Sequence, residues 1–247
     1  MNTPLEGKAA LVTGGSRGIG AATAIRLAQD GADVAFTFHS NETAAAAVVE
    51  QIKATGGRAL AIQADSADAG AVMAAVEQTA AEFGRFDILV NNAATYVVEP
   101  LEELDFAAFD RSVAVNIRAP FAAAKAAVPL MADGGRIISI GTLVNDRVAF
   151  PNYTHYATTK TALIGLTKGL ARELGPRGIT VNLVNPGPTD TELNPADGPY
   201  ADTIRGFTAL GRFAEPSEVA GAVAFLAGPD GRYVTGATLT IDGGFTS

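Results

Sequence analysis

Two residues in this chain have the types and the spacing for proton transfer. Tyr156 and Lys160 stand four apart in His155-Tyr156-Ala157-Thr158-Thr159-Lys160, and on a helix that spacing sends both side chains off one face. Leu163, Leu166, Leu170 and Leu174 continue the amphipathic period. A free phenol titrates near 10 and exchanges protons poorly at neutral pH. An ammonium beside it favours the phenolate. A fall of about three units needs roughly 4 kcal/mol of differential stabilisation, which calls for a buried partner or a charged ligand as well. A phenol tuned in this way gives a proton to a carbonyl oxygen or takes one from an alcohol. Taken alone, the pair reads more simply as a packed tyrosine beside a solvated lysine. What surrounds it decides between the two.

A second group of residues suits phosphate. Gly14, Gly18 and Gly20 fall between a short apolar run and a helical pattern, with Ser16, Arg17 and Ile19 inside the same turn. Glycine there lets the backbone bend and approach a pyrophosphate, and the helix start offers free N–H groups. The next apolar run ends Phe36-Thr37-Phe38-His39-Ser40-Asn41, with no acid between Val34 and Asn41. A dinucleotide site selecting NAD places an acid near this point to hold the ribose 2′-hydroxyl. Arg17 with His39, Ser40 and Asn41 suits a 2′-phosphate instead, so NADP is expected.

These groups need a frame. Apolar runs predict strands over Lys8–Thr13, Ala32–Phe38, Ala59–Gln63, Phe86–Asn91, Arg136–Ile140, Ile179–Val184 and Thr238–Ile241. Helical patterns lie between them: Gly18 to Gly31, Thr43–Thr55, Ala69–Phe83, Phe106–Val113, Phe121–Met131, His155–Leu174 and Ser217–Leu226. Strands this apolar are covered on both faces, as in a parallel sheet. The alternation predicts one doubly wound, Rossmann-type α/β domain with seven parallel strands and helices on both faces. Residues 189–212 carry Pro and Gly with weak periodicity and are read as a substrate lid.

The totals narrow the classes. The 247 residues carry a formal net charge of −8, which disfavours nucleic acid and anionic membrane as partners. Cysteine is absent and only two His are present, so thiolate chemistry is excluded and no metal site is expected. No apolar run reaches the roughly 18 residues of a membrane span. Met1 to Lys8 lacks a basic stretch followed by an apolar one, so a cytoplasmic protein without a secretory signal is expected.

Thr13-Gly14-x-x-x-Gly18-x-Gly20, Asp65, Asn91-Asn92-Ala93, Asn116, Tyr156-x-x-x-Lys160, Pro186-Gly187 and Asp242-Gly243-Gly244 occur in this order along the chain. Together they resemble the short-chain dehydrogenases/reductases, nearest the branch of 3-oxoacyl-(acyl-carrier-protein) reductases and ketone reductases. The resemblance implies roles. Tyr156 would be the general acid, Lys160 would hold the nicotinamide ribose and depress the Tyr156 pKa, and Asn116 would anchor a water in the proton relay. Asp65, with Ser66 beside it, would meet the adenine amino group, while Asn92 and Ala93 would line the adenosine ribose. Pro186, Gly187, Thr189 and Thr191 would hold the nicotinamide end. It also implies a homotetramer formed through two helices and the C-terminal segment.

Two positions depart from the family pattern. Its substrate-binding Ser falls at Thr142, whose added methyl restricts the rotamer and narrows the site; Ser139, three residues earlier in the strand, is the rival. Ala94 stands where Gly is usual. Tyr153 is read as a pocket wall and His155 as a packed or surface imidazole. Leu143, Val144, Phe150, Tyr153, Leu193 and Phe207 are expected to give the pocket an apolar lining, and Arg147, Arg205 and Arg212 are candidates for a basic entrance. The reading is an NADPH-dependent reductase acting on a small-molecule ketone or 3-oxoacyl thioester. Its rival is a non-catalytic NADP(H) sensor on the same fold.

Overall fold

The computed structural model describes residues 3–247; Met1 and Asn2 of the opening segment lie outside the described residues. Seven strands form one parallel sheet: β1 (Ala9–Val12), β2 (Asp33–Phe38), β3 (Ala59–Gln63), β4 (Phe86–Asn91), β5 (Met131–Ile140), β6 (Thr180–Pro186) and β7 (Thr238–Ile241). Their order is β3-β2-β1-β4-β5-β6-β7. Between them run α1 (Gly18–Gln29), α2 (Glu42–Ala54), α3 (Ala69–Phe83), α4 (Phe106–Val113), α5 (Ala119–Ala127), α6 (Thr154–Leu174), α7 (Ala201–Phe207) and α8 (Pro216–Ala227). The order reverses direction between β1 and β4, which opens a crevice at their C-terminal ends, where doubly wound folds bind ligands.

Alternation along each strand divides the core. Ala10 and Val12 of β1 enter one apolar cluster with Leu27 of α1, Val48 and Ile52 of α2, and Val219 and Val223 of α8. Leu11 enters the other, with Val72 and Val76 of α3, Ala123 of α5, and Leu174 of α6. Ile88 and Val90 against Leu89 in β4 repeat the split. A side-chain period of two sends neighbours to opposite faces, so a continuous apolar run fills two layers.

Four differences from the sequence reading stand out, the first two with one local cause. The strand expected from Arg136 begins at Met131, because β5 pairs Phe86 with Met131 and Ile88 with Arg136 across a register shift. The Asp133-Gly134-Gly135 stretch forms that irregularity, with Gly134 at φ 82°. The helix expected over Phe121–Met131 therefore stops at Ala127, and its start moves back to Ala119. The segment Ala114–Arg118 is wound as a π-helix between α4 and α5. Within the stretch read as irregular, α7 forms a helix of seven residues.

Candidate active site

The C-terminal ends of β1 and β4 are joined by side chains that leave the glycine turn in a fixed shape. Thr13 Oγ1 accepts from the Asn92 and Ala93 amides at 3.0 and 3.1 Å. Asn92 Nδ2 donates to the Thr13 and Gly14 carbonyls at 3.0 and 2.9 Å. The Gly14 amide donates to Thr37 Oγ1 of β2 at 2.9 Å. Gly14 and Gly18 hold φ of 66° and 52°, which disfavours any residue with a Cβ. At Gly20 a Cβ would stand 2.2 Å from the Gly14 carbonyl oxygen and 2.5 Å from Asn92 Nδ2. The start of α1 is thereby pressed onto the turn.

The turn suits a dinucleotide. Helices α2, α3 and α4 are each capped by a side chain, from Asn41, Asp68 and Asp105. Helix α1 has no side-chain cap and no acid in its first turn, so its leading N–H groups remain free for an anion. Gly14, Ser16, Arg17, Gly18, Ile19 and Gly20 line one wall of a cavity of roughly 550 Å³. His39, Ser40 and Asn41 line it at the end of β2, and Asp65 and Ser66 after β3. Asn92 and Ala93 follow along the floor, then Thr142, Tyr156 and Lys160, and Pro186, Gly187, Thr189 and Thr191. Asn41 Oδ1 is occupied as a cap by the Ala44 amide. Asp65 accepts from the Ala67 amide at 2.9 Å. That bond, with the Arg111 and His39 charges, holds its carboxyl below the usual carboxylate range.

At the other end, helix α6 carries Tyr156 and Lys160 to the cavity. Lys160 Nζ donates to the Ile140 carbonyl at the end of β5, 2.6 Å away, and burial pulls its pKa down to about 8. Tyr156 does not show the lowered pKa expected from its neighbour. Burial pushes its phenol up to about 12, against an opposing hydrogen-bond contribution from Thr142. Enclosure dominates, because it penalises the charged phenolate.

Thr142 begins the turn after β5, where its hydroxyl accepts from the Val144 amide at 3.3 Å and its own amide donates to Asn185 Oδ1 at 3.1 Å. Ser139 lies away from the cavity, its Oγ accepting from Asn91 Nδ2 at 3.4 Å. Asn116, buried within the π segment, commits its side chain to protein. Its Oδ1 accepts from the Thr95 amide at 2.9 Å, and its Nδ2 donates to the Thr95 carbonyl and Thr159 Oγ1 at 3.1 and 3.0 Å. It ties the segment after β4 to α6.

The two late glycine motifs are explained together. A Cβ at Gly187 would lie 2.4 Å from Asp242 Cα, so the ends of β6 and β7 touch through backbone. Asp242 then accepts from the Gly244 and Thr246 amides, each at 2.9 Å, and the turn brings Phe245 to the cavity.

Sequence reasoning missed Tyr96, Arg111 and Phe245. All three line the cavity, and none belongs to a chemically distinctive spacing. Leu143, Val144, Phe150, Tyr153 and Leu193 line it as expected, whereas Phe207 stands behind the wall, stacked on Phe245 at 5.3 Å. Of the three candidate entrance cations only Arg147 reaches the cavity. His155 is packed, 2% exposed, with its ring 5.5 Å from that of Phe109. Among the described residues no three acidic or His side chains gather as a metal would require, and no helix is long and apolar enough to cross a membrane.

Comparison with known proteins places this geometry among relatives. A family model described as Enoyl-(Acyl carrier protein) reductase matches residues 14–246. The Cyclic-di-GMP-binding biofilm dispersal mediator protein of Escherichia coli is 46% identical, over 97% of each chain. A short-chain dehydrogenase/reductase from Serratia marcescens superposes with a TM-score of 0.97 at 53% identity, over 99% of this chain and 100% of that one. A Burkholderia cenocepacia short chain dehydrogenase in complex with NADP does so with 0.97 at 52% identity, over the same shares.

Proposed function

The chain belongs to the short-chain dehydrogenase/reductase family, and from that membership we propose an NADPH-dependent reductase that turns a ketone into a secondary alcohol. The observation that carries the reading is one continuous cavity with the uncapped start of α1 and the glycine turn at one end and Tyr156, Thr142 and Lys160 at the other. Gly187, Thr189 and Thr191 would hold the nicotinamide end of a reduced dinucleotide there, which would supply the hydride for the carbonyl carbon. Tyr156 gives its proton to the carbonyl oxygen. The phenol is protonated at neutral pH, and its raised pKa has to be offset by charge brought in with the cofactor for the transfer to be fast. Thr142 donates its hydroxyl hydrogen to the oxygen as negative charge develops on it. Lys160, with a pKa of about 8, stays largely protonated at pH 7 and stabilises the phenolate that Tyr156 becomes. Asn116 holds the segment after β4 in place beside the site. Arg17, with Ser40 and His39, takes the 2′-phosphate, and Asp65 and Ser66 take the adenine end. The 189–212 segment covers the substrate side. The test is a ketone panel run in parallel with NADPH and NADH. Turnover with NADPH preferred is expected; failure on every ketone despite NADPH binding defeats the reading.

A second reading has one observation behind it. The Escherichia coli relative is described by the nucleotide it binds, which favours a non-catalytic NADP(H)-sensing protein on this fold. NADPH binding without turnover, together with a saturable response to cyclic-di-GMP in the same assay, would select it. A cytoplasmic homotetramer completes the proposal. Exposed Phe121 borders an apolar groove with Ile117 and Leu166, and light scattering at micromolar concentration reads the assembly.

A further inference from the structure

Beyond Tyr156 one wall of the cavity is formed by rings, beside the aliphatic Leu143, Val144 and Leu193. Tyr96, on the segment after β4, sets its ring edge-on to Tyr156 with centroids 4.9 Å apart, and its hydroxyl lies 2.7 Å from that of Tyr153. Phe150 continues the wall 6.3 Å from Tyr153, and Phe245 stands 6.4 Å from Phe150. Phe207 of α7 braces both from behind, 5.1 Å from Phe150 and 5.3 Å from Phe245. Four separate stretches of chain thus converge as aromatic side chains. Centroid separations of about 4.5–7 Å are those at which ring edges and faces attract, and a ring on the substrate meets the same geometry.

The charges around this wall oppose a carrier-borne substrate. A thioester delivered on an acidic carrier needs free cations at the entrance. Arg205 is paired with Asp202 at 3.3 Å and donates to the Ala196 carbonyl. Arg212 grips both oxygens of Glu218 at 2.6 and 2.7 Å. Arg147 donates to the Phe245 carbonyl at 3.2 Å and lies over the Phe207 ring. Glu192 also lines the cavity, and the whole chain carries −8.

The geometry points to a free ketone with an aromatic ring beside the carbonyl as the substrate, seated by Tyr96 as the specificity-determining residue with Tyr153 holding it. This rests on the reductase reading: hydride adds to the carbonyl carbon, Tyr156 protonates the oxygen, and aryl alcohol and oxidised dinucleotide leave. The test uses the full chain with NADPH and three probes: acetophenone, 2-octanone with the same carbon count, and the N-acetylcysteamine thioester of acetoacetate. Acetophenone should show kcat/KM about tenfold or more above both others, the size of a few aromatic contacts. Tyr96→Leu should lower kcat/KM for acetophenone about tenfold more than for 2-octanone, mostly through KM, and Tyr96→Phe should restore the preference. NADPH affinity measured by fluorescence reports that each variant is folded. Equal or faster turnover of 2-octanone or the thioester, or parallel losses on both ketones in Tyr96→Leu, overturns the substrate class alone. Turnover of none of the three probes by an NADPH-binding protein defeats the reductase reading itself, and the substrate class with it.

Discussion

The two ends of the cavity are built from different material. The dinucleotide end is backbone: Gly14 and Gly18 hold positive φ, Gly20 leaves no room for a Cβ, and Thr13, Thr37 and Asn92 bond main-chain groups. The substrate end is side chain, formed by Tyr96, Phe150, Tyr153 and Phe245 on three irregular stretches that meet only in three dimensions. Backbone recognises what every dinucleotide shares, a pyrophosphate, and tolerates no added atom. In the proposed reductase, rings on loops would recognise what differs between ketones and could be exchanged without moving the sheet. On that proposal, cofactor binding and substrate choice are carried by separable parts, with Tyr156 and Lys160 on the boundary.

That contrast can be broken or sharpened by mutation. Tyr156→Phe should have the largest effect, lowering kcat by about a thousandfold or more, within the range of lost general acid catalysis, while the NADPH Kd moves by less than about threefold. A comparable loss of NADPH binding would erase the boundary between the two ends. Gly20→Ala adds one methyl where 2.2 Å separates the Cβ position from a carbonyl oxygen. It should weaken NADPH binding roughly a hundredfold or more, read by fluorescence titration with circular dichroism as the control for folding. Binding at the normal strength would show that the turn yields.

Lys160 tests the boundary through pH. Its folded pKa of about 8 lies below the ordinary value of 10.5, so between these two the unfolded chain binds more protons and stability rises with pH. The Tyr156 phenol, raised from 10.0 to about 12, contributes stability that is lost as pH rises through that later window. The cofactor-free protein should gain on the order of 1–3 kcal/mol from Lys160 between pH 8 and 10.5, measured as urea midpoints. Lys160→Met should flatten that rise, and an unchanged slope would mean the ammonium is solvated. The smallest effect expected is for Arg17→Ala, with the preference for NADPH over NADH falling about tenfold, the worth of one charge-assisted phosphate contact. If the ratio holds, the 2′-phosphate lies elsewhere.

Much of this was legible in the chain. The strand and helix alternation was readable because β1, β2 and β4 are nearly uninterrupted apolar runs, and Ala59–Gln63, Ala69–Phe83 and Phe86–Asn91 match in extent. The β5 start was not, since Asp133-Gly134-Gly135 carries turn residues and becomes strand only by pairing beside Phe86. Tyr96 and Phe245 were illegible for the same kind of reason: nothing in their neighbours' spacing distinguishes them from packing residues.

Spacing along the sequence alone determined the order of the elements, the glycine turn, and the placement of Tyr156 and Lys160 on one helix face, because each depends on residues within a few positions of one another. Tertiary structure decided the rest. Whether the phenol is eased or hindered in losing its proton depends on enclosure and on where the lysine finds its carbonyl. Which rings line the far end of the cavity depends on three segments up to about 150 residues apart being folded over the C-terminal ends of the strands, a property of long-range packing that no local period encodes.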